Sequence, residues 1–263
     1  QMQLSLNAGM SKISNMPELS SQGRQMSIPG LDDWLGSAQG RYVLDWESSR
    51  TDAAVADVFG FNALQLGLPH HDFLRANRIP LRQKAGDTGP VDVLCDLTAL
   101  PVAAHSTDLV VLPHVLEFAP DPHQILREIE RILIPEGQLI VLGFNPLSLW
   151  GLRNRFERSG NFPWHGSYLS LLRLKDWLKL LGFEVDRGIV GCRVPPWEQQ
   201  SWLRRWRFME TADQHWWGFP GGVYLLRAIK RTHAMRLITP PWRKSAVGSK
   251  ALRPVAQREN HGH

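Results

Sequence analysis

The sequence contains only two cysteines, Cys95 and Cys192, in 263 residues. That number excludes a disulfide-stabilised scaffold, and neither residue lies in a CxxC pair or near other residues at zinc-ligand spacing. We therefore expect two buried thiols. No apolar run approaches the roughly 18 residues that a membrane-spanning helix requires, and residues 1–27 lack the apolar block of a signal peptide. These absences predict a cytoplasmic protein without a transmembrane segment.

Several catalytic signatures are also missing. The sequence has no GxSxG elbow, no P-loop and no paired-carboxylate motif, which argues against hydrolase and phosphotransferase chemistry. The adjacent His70 and His71 have no third histidine or carboxylate at ligand spacing. We therefore predict no metal site.

The composition is that of a globular protein, with 43% hydrophobic and 21% charged residues, so the bulk of the chain should fold. The two ends differ from the rest. Residues 1–30 are rich in Ser, Gln and Met without apolar periodicity, and residues 232–263 are basic and nearly free of acids. Both patterns are typical of disorder. We predict a disordered N-terminal segment, one domain over residues 31–231 and a disordered basic tail.

The net charge of +5 conceals two halves of opposite sign. Residues 1–150 carry 10 Lys and Arg against 17 Asp and Glu, whereas residues 151–263 carry 20 against 8. A basic C-terminal half could attract nucleic acid or an anionic membrane surface, but a charge run can equally be a solvated face. The sequence leaves these alternatives open.

Short β-branched or leucine-rich runs alternate with helical patterns through the middle of the chain, which is typical of βα units and a mainly parallel sheet. The predicted strands are Ala63–Leu68, Ile79–Gln83, Val91–Cys95, Asp108–Leu112, Gln138–Phe144, Phe183–Val190 and Val223–Ile229. The predicted fold class is therefore α/β.

Two helices between these strands have clear signals. In the first, Asp121 is an N-cap, Pro122 takes the first helical position and Gln124 completes a capping box. In the second, leucines recur at helical spacing over Leu171–Leu181, and Gly182 supplies a left-handed C-cap.

Residues 191–220 form a long insertion, rich in Trp and Arg, between two predicted strands. Trp202 and Trp206 would share one face of a helix, because they are four residues apart. Three interpretations stay open: a helix packed onto the domain, a lid over a substrate pocket, or an interfacial contact with membrane or nucleic acid.

The stretch from the third predicted strand to the fifth carries a series of landmarks in a fixed order. They are Asp96-Leu97 with Leu100-Pro101, Ser106-Thr107-Asp108-Leu109-Val110, Leu116-Glu117, Arg127-Glu128, and Arg131-x-Leu133-x-Pro135-x-Gly137. In this order and spacing the sequence resembles the class I S-adenosylmethionine-dependent methyltransferases of the type-11 family, and within it a proteobacterial subgroup. The resemblance implies a Rossmann-like, doubly wound, mainly parallel seven-stranded sheet with helices on both faces. It also implies S-adenosylmethionine as the cofactor.

The first loop departs from the family pattern. In the family an acid ends the first strand and a glycine-rich loop follows, because residues without Cβ let the backbone approach the cofactor. Here Gln65 stands at the acidic position, Gly67 is the glycine that is kept, and Pro69 and His71 replace later ones. Pro69 also has no N–H to donate. The resemblance still implies that Gln65 and Gly67 contribute to cofactor binding.

Further residues match binding positions of the family. Asp87 is the acid nearest to the position that binds the ribose hydroxyls, Asp96 matches the acceptor of the adenine amino group, and Leu97 matches the wall beside that ring. Pro113 and His114 match the loop after the fourth strand, which lines the methyl-donor end. His114 is either a general base for a protic acceptor or a wall residue.

Two functions follow from this sequence. The first is S-adenosylmethionine-dependent methyl transfer to an acceptor that the sequence does not identify. The second is a non-catalytic binding module that kept the fold, lost cofactor affinity and holds an anionic partner such as nucleic acid through its basic half. The retained Asp96-Leu97 pair favours the first function, and the degenerate glycine loop favours the second.

Overall fold

A computed structural model of the chain describes residues 30–156, 166–193 and 221–231. The strands in these ranges are β1 (Asn62–Leu66), β2 (Leu81–Gly86), β3 (Val93–Leu94), β4 (Thr107–Pro113), β5 (Leu133–Phe144), β6 (Phe183–Gly191) and β7 (Val223–Lys230). The helices are α1 (Leu31–Leu35), α2 (Ala38–Val55), α3 (Pro122–Ile132), α4 (Leu149–Phe156) and α5 (Leu171–Leu180).

The seven described strands form one sheet in the order β3-β2-β1-β4-β5-β7-β6. The pairs from β3 to β5 are parallel, and β7 runs antiparallel to both β5 and β6. The chain fills the sheet from β1 outward to β3 and then returns to place β4 beside β1. The switch point of this doubly wound sheet therefore lies between β1 and β4, where ligands of open α/β sheets bind.

Both faces of the sheet are buried, as a parallel sheet requires. In β4, Leu109 and Val111 face one apolar core, and Val110 and Leu112 face the other. The second core includes the buried sides of α3 and α5, and the first includes α1 and the end of α2. The prediction of an α/β sheet with helices on both faces is confirmed.

All seven predicted strands are present, with shifted ends. β2 extends three residues past the predicted end to Gly86, because it is paired on both sides there, Leu66 with Ala85 and Gly86 with Leu94. β5 begins five residues early, directly after α3, and pairs Leu133 with Thr107 before a register shift. These ends depend on the neighbouring strand and not on local pattern.

The two predicted helices are also present. Asp121 caps α3 by accepting a hydrogen bond from the Gln124 backbone N at 3.0 Å. The expected capping box is only half formed, because the Gln124 side chain donates to the Thr98 carbonyl oxygen at 3.4 Å instead of returning to the cap. The second helix, α5, is capped by Ser170 and ends before Gly182, which has the expected left-handed φ of 83°.

The sequence signals did not indicate α2. Its Ser37 N-cap accepts a hydrogen bond from Gly40 N at 3.1 Å. The buried side of α2 includes Gln39, Glu47 and Thr51 beside its apolar residues. A helix whose buried side is this polar lacks the apolar stripe by which amphipathic helices are recognised.

Several expectations lie wholly or largely outside the described residues. They are the disordered segment 1–30, the insertion 191–220 beyond Arg193 with its Trp202 and Trp206, and the basic tail 232–263. Of the two thiols, Cys192 is buried as expected, but Cys95 is only partly buried.

The close approach of α1 to α2 at Gly40 can be tested by Gly40→Ala. The new methyl group would overlap the backbone of Trp34 and Leu35, so we expect the free energy of unfolding to fall by about 2 kcal/mol. Urea denaturation measures this change. The exposed neighbour variant Arg41→Ala should stay within about 0.5 kcal/mol of the parent. Equal stability of both variants would show that the two helices do not meet at this glycine.

Candidate functional site

The residues expected to bind cofactor are brought to one edge of the sheet, where β1 to β4 end. Parallel strands all end at the same edge, and register aligns Leu66 with Ala85 and Gly86 with Leu94. Asp87 is the first residue after β2, and Asp96 follows closely after β3. The fold therefore gathers residues from separate loops around the switch point.

Asp87 carries a buried carboxylate oxygen without a protein partner. Its Oδ1 accepts a hydrogen bond from Thr88 Oγ1 at 3.4 Å, whereas Oδ2 is buried and has no hydrogen-bond partner among the residues described. A buried acceptor left unpaired costs about 1–3 kcal/mol. Such an atom is therefore a place where a ligand hydroxyl would be stabilising.

Asp96 organises the turn that follows β3. Its Oδ1 accepts hydrogen bonds from the Thr98 backbone N at 2.8 Å and from Thr98 Oγ1 at 2.6 Å. Leu97 is buried in the core that α3 and α5 cover. The carboxylate is therefore fixed in direction by its own turn, beside an apolar side chain.

The Cys95 thiol is subject to the charges of both carboxylates, Asp87 and Asp96. Burial raises its pKa, and the charges of Asp96 and Asp87 raise it further. The Cys95 backbone N donates to the Gly86 carbonyl at 2.8 Å, which holds the loops after β2 and β3 together. The thiol accordingly stays protonated, and this corner of the site is negatively charged.

Gln65 shapes the loop after β1 from inside. Its fully buried side-chain amide donates to the carbonyl oxygens of Gly67, Leu68 and His71 at 2.8–3.1 Å. Its Oε1 accepts a hydrogen bond from Phe73 N at 3.0 Å. Because both amide hydrogens are used within the loop, the structure gives Gln65 the task of folding the loop and not of donating to a ligand.

Gly67 stands where β1 turns beside β4. Its φ is 82°, and an added Cβ would lie 2.6 Å from Val115 Cγ2 and 3.9 Å from the Pro113 carbonyl oxygen. Its N–H donates to the Ala85 carbonyl at 2.9 Å. The position thus requires glycine for both conformation and space, and it lies close to Pro113.

The rest of this loop takes an unusual course. Residues 67–80 contain turns and no helix, although dinucleotide-type sites usually place a helix N-terminus after the first strand. Pro69 packs on the loop after β2, since a Cβ at Gly89 would lie 2.6 Å from Pro69 Cγ. Lys84 Nζ donates to the Pro69 carbonyl at 2.9 Å. The loop is therefore fastened to the strand that carries Asp87.

His114 is fully buried between two glutamates. Its Nε2 lies 2.6 Å from Glu47 Oε1, and its Nδ1 lies 3.3 Å from Glu117 Oε1. Burial lowers the pKa of His114, but the charges of Glu47 and Glu117 outweigh it and raise the pKa to about 10. An imidazole that is protonated at neutral pH cannot accept a proton. Of the two roles that the sequence left open for His114, this geometry therefore favours a structural one, in which an imidazolium ties α2 to the loop after β4.

Glu117 extends this cluster to β5. Its Oε1 also accepts a hydrogen bond from Phe144 N at 2.5 Å. Burial raises the pKa of Tyr168 and of Tyr224, and the Glu117 charge raises both further, so the two phenols lie close to it. The Oε2 atoms of Glu47 and Glu117 are buried without a hydrogen-bond partner within the described ranges.

Sequence reasoning missed Glu47, the partner that decides the charge of His114. Its position is separated from His114 by 67 residues, and it lies on a helix with no clear apolar stripe. Glu47, between Trp46 and Ser48 in the sequence, becomes recognisable as a site residue only through its tertiary contact with His114. Glu117, by contrast, belongs to the Leu116-Glu117 pair on which the family resemblance partly depends.

No described helix has the length and apolarity needed to cross a membrane. The described residues also contain no group of three His, Cys, Asp or Glu side chains arranged to hold a metal ion. Glu47, His114 and Glu117 form a buried ion-pair network.

The chain is similar in sequence to a methyltransferase family model and to two proteins. Residues 72–141 match the type-11 methyltransferase family, described as a methyltransferase domain. The uncharacterized protein YafS of Escherichia coli (strain K12) is 43% identical over 147 residues, which are 55% of this chain and 61% of the relative. A demethylmenaquinone methyltransferase of Chlamydia pneumoniae is 39% identical over 51 residues, 19% of this chain and 22% of the relative. The match spans less than two thirds of either relative.

Solved structures share the fold. A methyltransferase in complex with the Haloferax volcanii methyltransferase activator Trm112 has a TM-score of 0.54 at 18% identity, covering 78% of this chain and 97% of that chain. A SAM-dependent methyltransferase of Thermotoga maritima has a TM-score of 0.52 at 18% identity, covering 73% and 97%. At these identities the likeness concerns the fold alone.

The ion pair can be tested by the pH dependence of stability. The pKa of His114 is raised from 6.5 to about 10 on folding, so its contribution is fully present below the unfolded value and is lost as pH rises through the folded value. We expect the free energy of unfolding to fall between these limits. Urea denaturation across this pH range measures the slope.

The variant Glu47→Gln should weaken this dependence and destabilise the protein by about 3 kcal/mol at neutral pH, because it removes one partner of a buried pair. The control is Asp45→Asn, which changes an exposed carboxylate on the same helix. A parental pH slope in Glu47→Gln would contradict the assignment of the cluster.

Proposed function

We propose that this chain binds S-adenosylmethionine and transfers its methyl group to an acceptor, because residues 72–141 match the methyltransferase domain of the type-11 family. The cofactor would lie over the carboxyl ends of β1 to β4. The observation that carries the proposal is the unpartnered, buried Oδ2 of Asp87 at the end of β2.

Asp87 fits a ribose hydroxyl for a physical reason. A buried carboxylate oxygen needs a hydrogen-bond donor, and a hydroxyl donating to a charged acceptor contributes about 1.5–3 kcal/mol. The oxygen lies beside Cys95, whose protonated thiol leaves the negative charge of this corner to the carboxylates. A neutral hydroxyl donor suits this corner better than an anionic ligand group.

Asp96 and Leu97 fit the adenine ring in the same way. The Asp96 carboxylate, held by its own turn, accepts hydrogen bonds and would take one from the amino group. Leu97 would contribute an apolar wall. These residues follow β3, next to Asp87, so one nucleoside would reach both.

The remaining positions would shape the methyl-donor end. Gly67 and Pro113 lie against each other where β1 and β4 end, and the lack of a Cβ at Gly67 keeps the backbone close. When bound, S-adenosylmethionine supplies an electrophilic methyl group on a sulfonium, so the protein needs to contribute orientation and exclusion of water. His114 acts here as a positioning residue, which holds the loop after β4 at a left-handed φ of 52°.

The second candidate, a binding module without cofactor affinity, is favoured by the course of the first loop. Pro69 packs on Gly89, and Lys84 Nζ holds the loop by donating a hydrogen bond to the Pro69 carbonyl oxygen. A loop held in this way lacks the helix N-terminus that would face the amino-acid end of the cofactor. Location in the cytoplasm and an anionic partner such as nucleic acid stay predictions.

Calorimetric titration with S-adenosylmethionine and with its demethylated product separates the two candidates. We expect saturable binding to the parent protein, and binding at least about tenfold weaker in Asp87→Asn and in Asp96→Ala, because each change removes a charge-assisted hydrogen bond. Asp176→Asn is the matched control, since Asp176 is an exposed carboxylate on α5, which contacts β6 at the opposite side of the sheet.

Absence of saturable heat at millimolar ligand with folded parent protein would refute cofactor binding and leave the binding-module function. Binding that is unchanged in both aspartate variants would show that the nucleoside does not lie over the ends of β2 and β3. Circular dichroism of each variant distinguishes lost contacts from lost folding.

A further inference from the structure

The helix α4 exposes its apolar residues to solvent. Its buried side consists of Trp150 and Gly151, whereas Leu152 and Phe156 are 51% and 74% exposed. Leu147, just before the helix, is 68% exposed. We call these three residues, together with Arg153 and Arg155, the α4 surface. Exposure of this degree in neighbouring large side chains marks an interaction site more often than a random surface.

Two arginines flank this apolar strip. On a helix with 100° between residues, Leu152 and Phe156 lie about 40° apart, with Arg155 on one side and Arg153 on the other. Arg155 is exposed and Arg153 is partly exposed. The segment from 145 to 156 contains no acidic residue. The α4 surface is therefore apolar along its middle, with the exposed cation Arg155 along one side.

The rest of the described fold fixes where this surface lies. Trp150 is buried with Phe144, Cys192 and Val223, and a Cβ at Gly222 would lie 2.5 Å from its ring. β5 ends at Phe144, β6 ends at Gly191 and β7 begins at Val223. All three ends belong to the same edge of the sheet as Asp87 and Asp96. The α4 surface thus lies at the edge that carries the candidate site.

We propose that the α4 surface docks on an anionic lipid membrane. An apolar strip beside an exposed cation is an arrangement by which helices rest in the interface, with aliphatic and aromatic side chains at the acyl boundary and arginine at the headgroups. Each cation near such a surface contributes attraction that depends on the lipid charge. The proposal does not depend on methyl transfer, because it rests on the exposed residues alone.

Two other occupants fit the same surface less well. A second copy of the chain would bring arginines against arginines across a symmetric contact, which like charges oppose. Single-stranded nucleic acid would be bound by aromatic stacking platforms, whereas two of the three exposed apolar residues, Leu147 and Leu152, are aliphatic and only Phe156 is aromatic. Charge and apolar character together favour a lipid surface.

The chain offers a matched control at the opposite edge of the sheet. Phe59 and Phe61, just before β1, are 73% and 75% exposed. Their neighbours are acidic, because Asp57 is exposed and Asp108 Oδ2 accepts a hydrogen bond from Phe61 N at 2.8 Å. This pair is as apolar as the α4 surface but has the wrong charge for an anionic membrane.

The test is co-sedimentation of the full chain with phosphatidylcholine vesicles, with or without about one third phosphatidylglycerol. We expect the parent to bind the anionic vesicles. Leu152→Ser combined with Phe156→Ser should lower the partition coefficient at least about tenfold. Arg155→Gln should lower it about fivefold on anionic vesicles and leave it unchanged on neutral ones. Phe59→Ser combined with Phe61→Ser should have no effect.

Three results would overturn the proposal. The first is failure of the folded parent to bind anionic vesicles. The second is an equal loss in the α4 pair and in the control pair, which would show unspecific adhesion. The third is vesicle binding unaffected by the α4 changes while Arg155→Gln weakens binding of a single-stranded RNA oligonucleotide, which would assign the surface to nucleic acid. Thermal melting by circular dichroism confirms that each variant is folded.

Discussion

The buried cluster of Glu47, His114 and Glu117 joins parts of the chain that are far apart in sequence. Glu47 belongs to α2, His114 to the turn after β4, and Glu117 reaches the backbone of Phe144 at the end of β5. Burial of charge is unfavourable unless each group has partners. Because the imidazolium has two carboxylate neighbours, it stays charged, and α2 is held over the middle of the sheet.

This constraint also determines the shape of the candidate site. His114 holds a left-handed backbone conformation, which a histidine tolerates only at some cost. The ion pair on its ring and the hydrogen bond from its N–H to Leu142, at 3.0 Å, stabilise the conformation. The turn after β4 then passes Gly67, whose missing Cβ leaves room for Val115. One charge network therefore positions the loops on both sides of the switch point.

The same edge of the sheet combines two kinds of surface. Asp87 and Asp96 make one part negative and rich in hydrogen-bond acceptors, which suits the hydroxyl and amino groups of a nucleoside. The α4 surface at the end of β5 is apolar and cationic, which suits a lipid interface. The two proposals are independent, and both concern the same edge of the sheet.

The sequence is enough to predict the α/β class, the seven strands, α3 and α5, and it indicates the methyltransferase domain that residues 72–141 match, because these depend on local periodicity, caps and ordered landmarks along one stretch of chain. The sequence also indicated Asp96 and Gly67, because the conformation of each residue depends on the local turn in which it lies. Folding in three dimensions places Asp87 at the strand end, since β2 is lengthened by pairing with β3. It alone decided the charge of His114, since Glu47 approaches across 67 residues. Contacts between distant residues leave no periodic trace in the sequence, and a pKa follows from the neighbours that folding supplies.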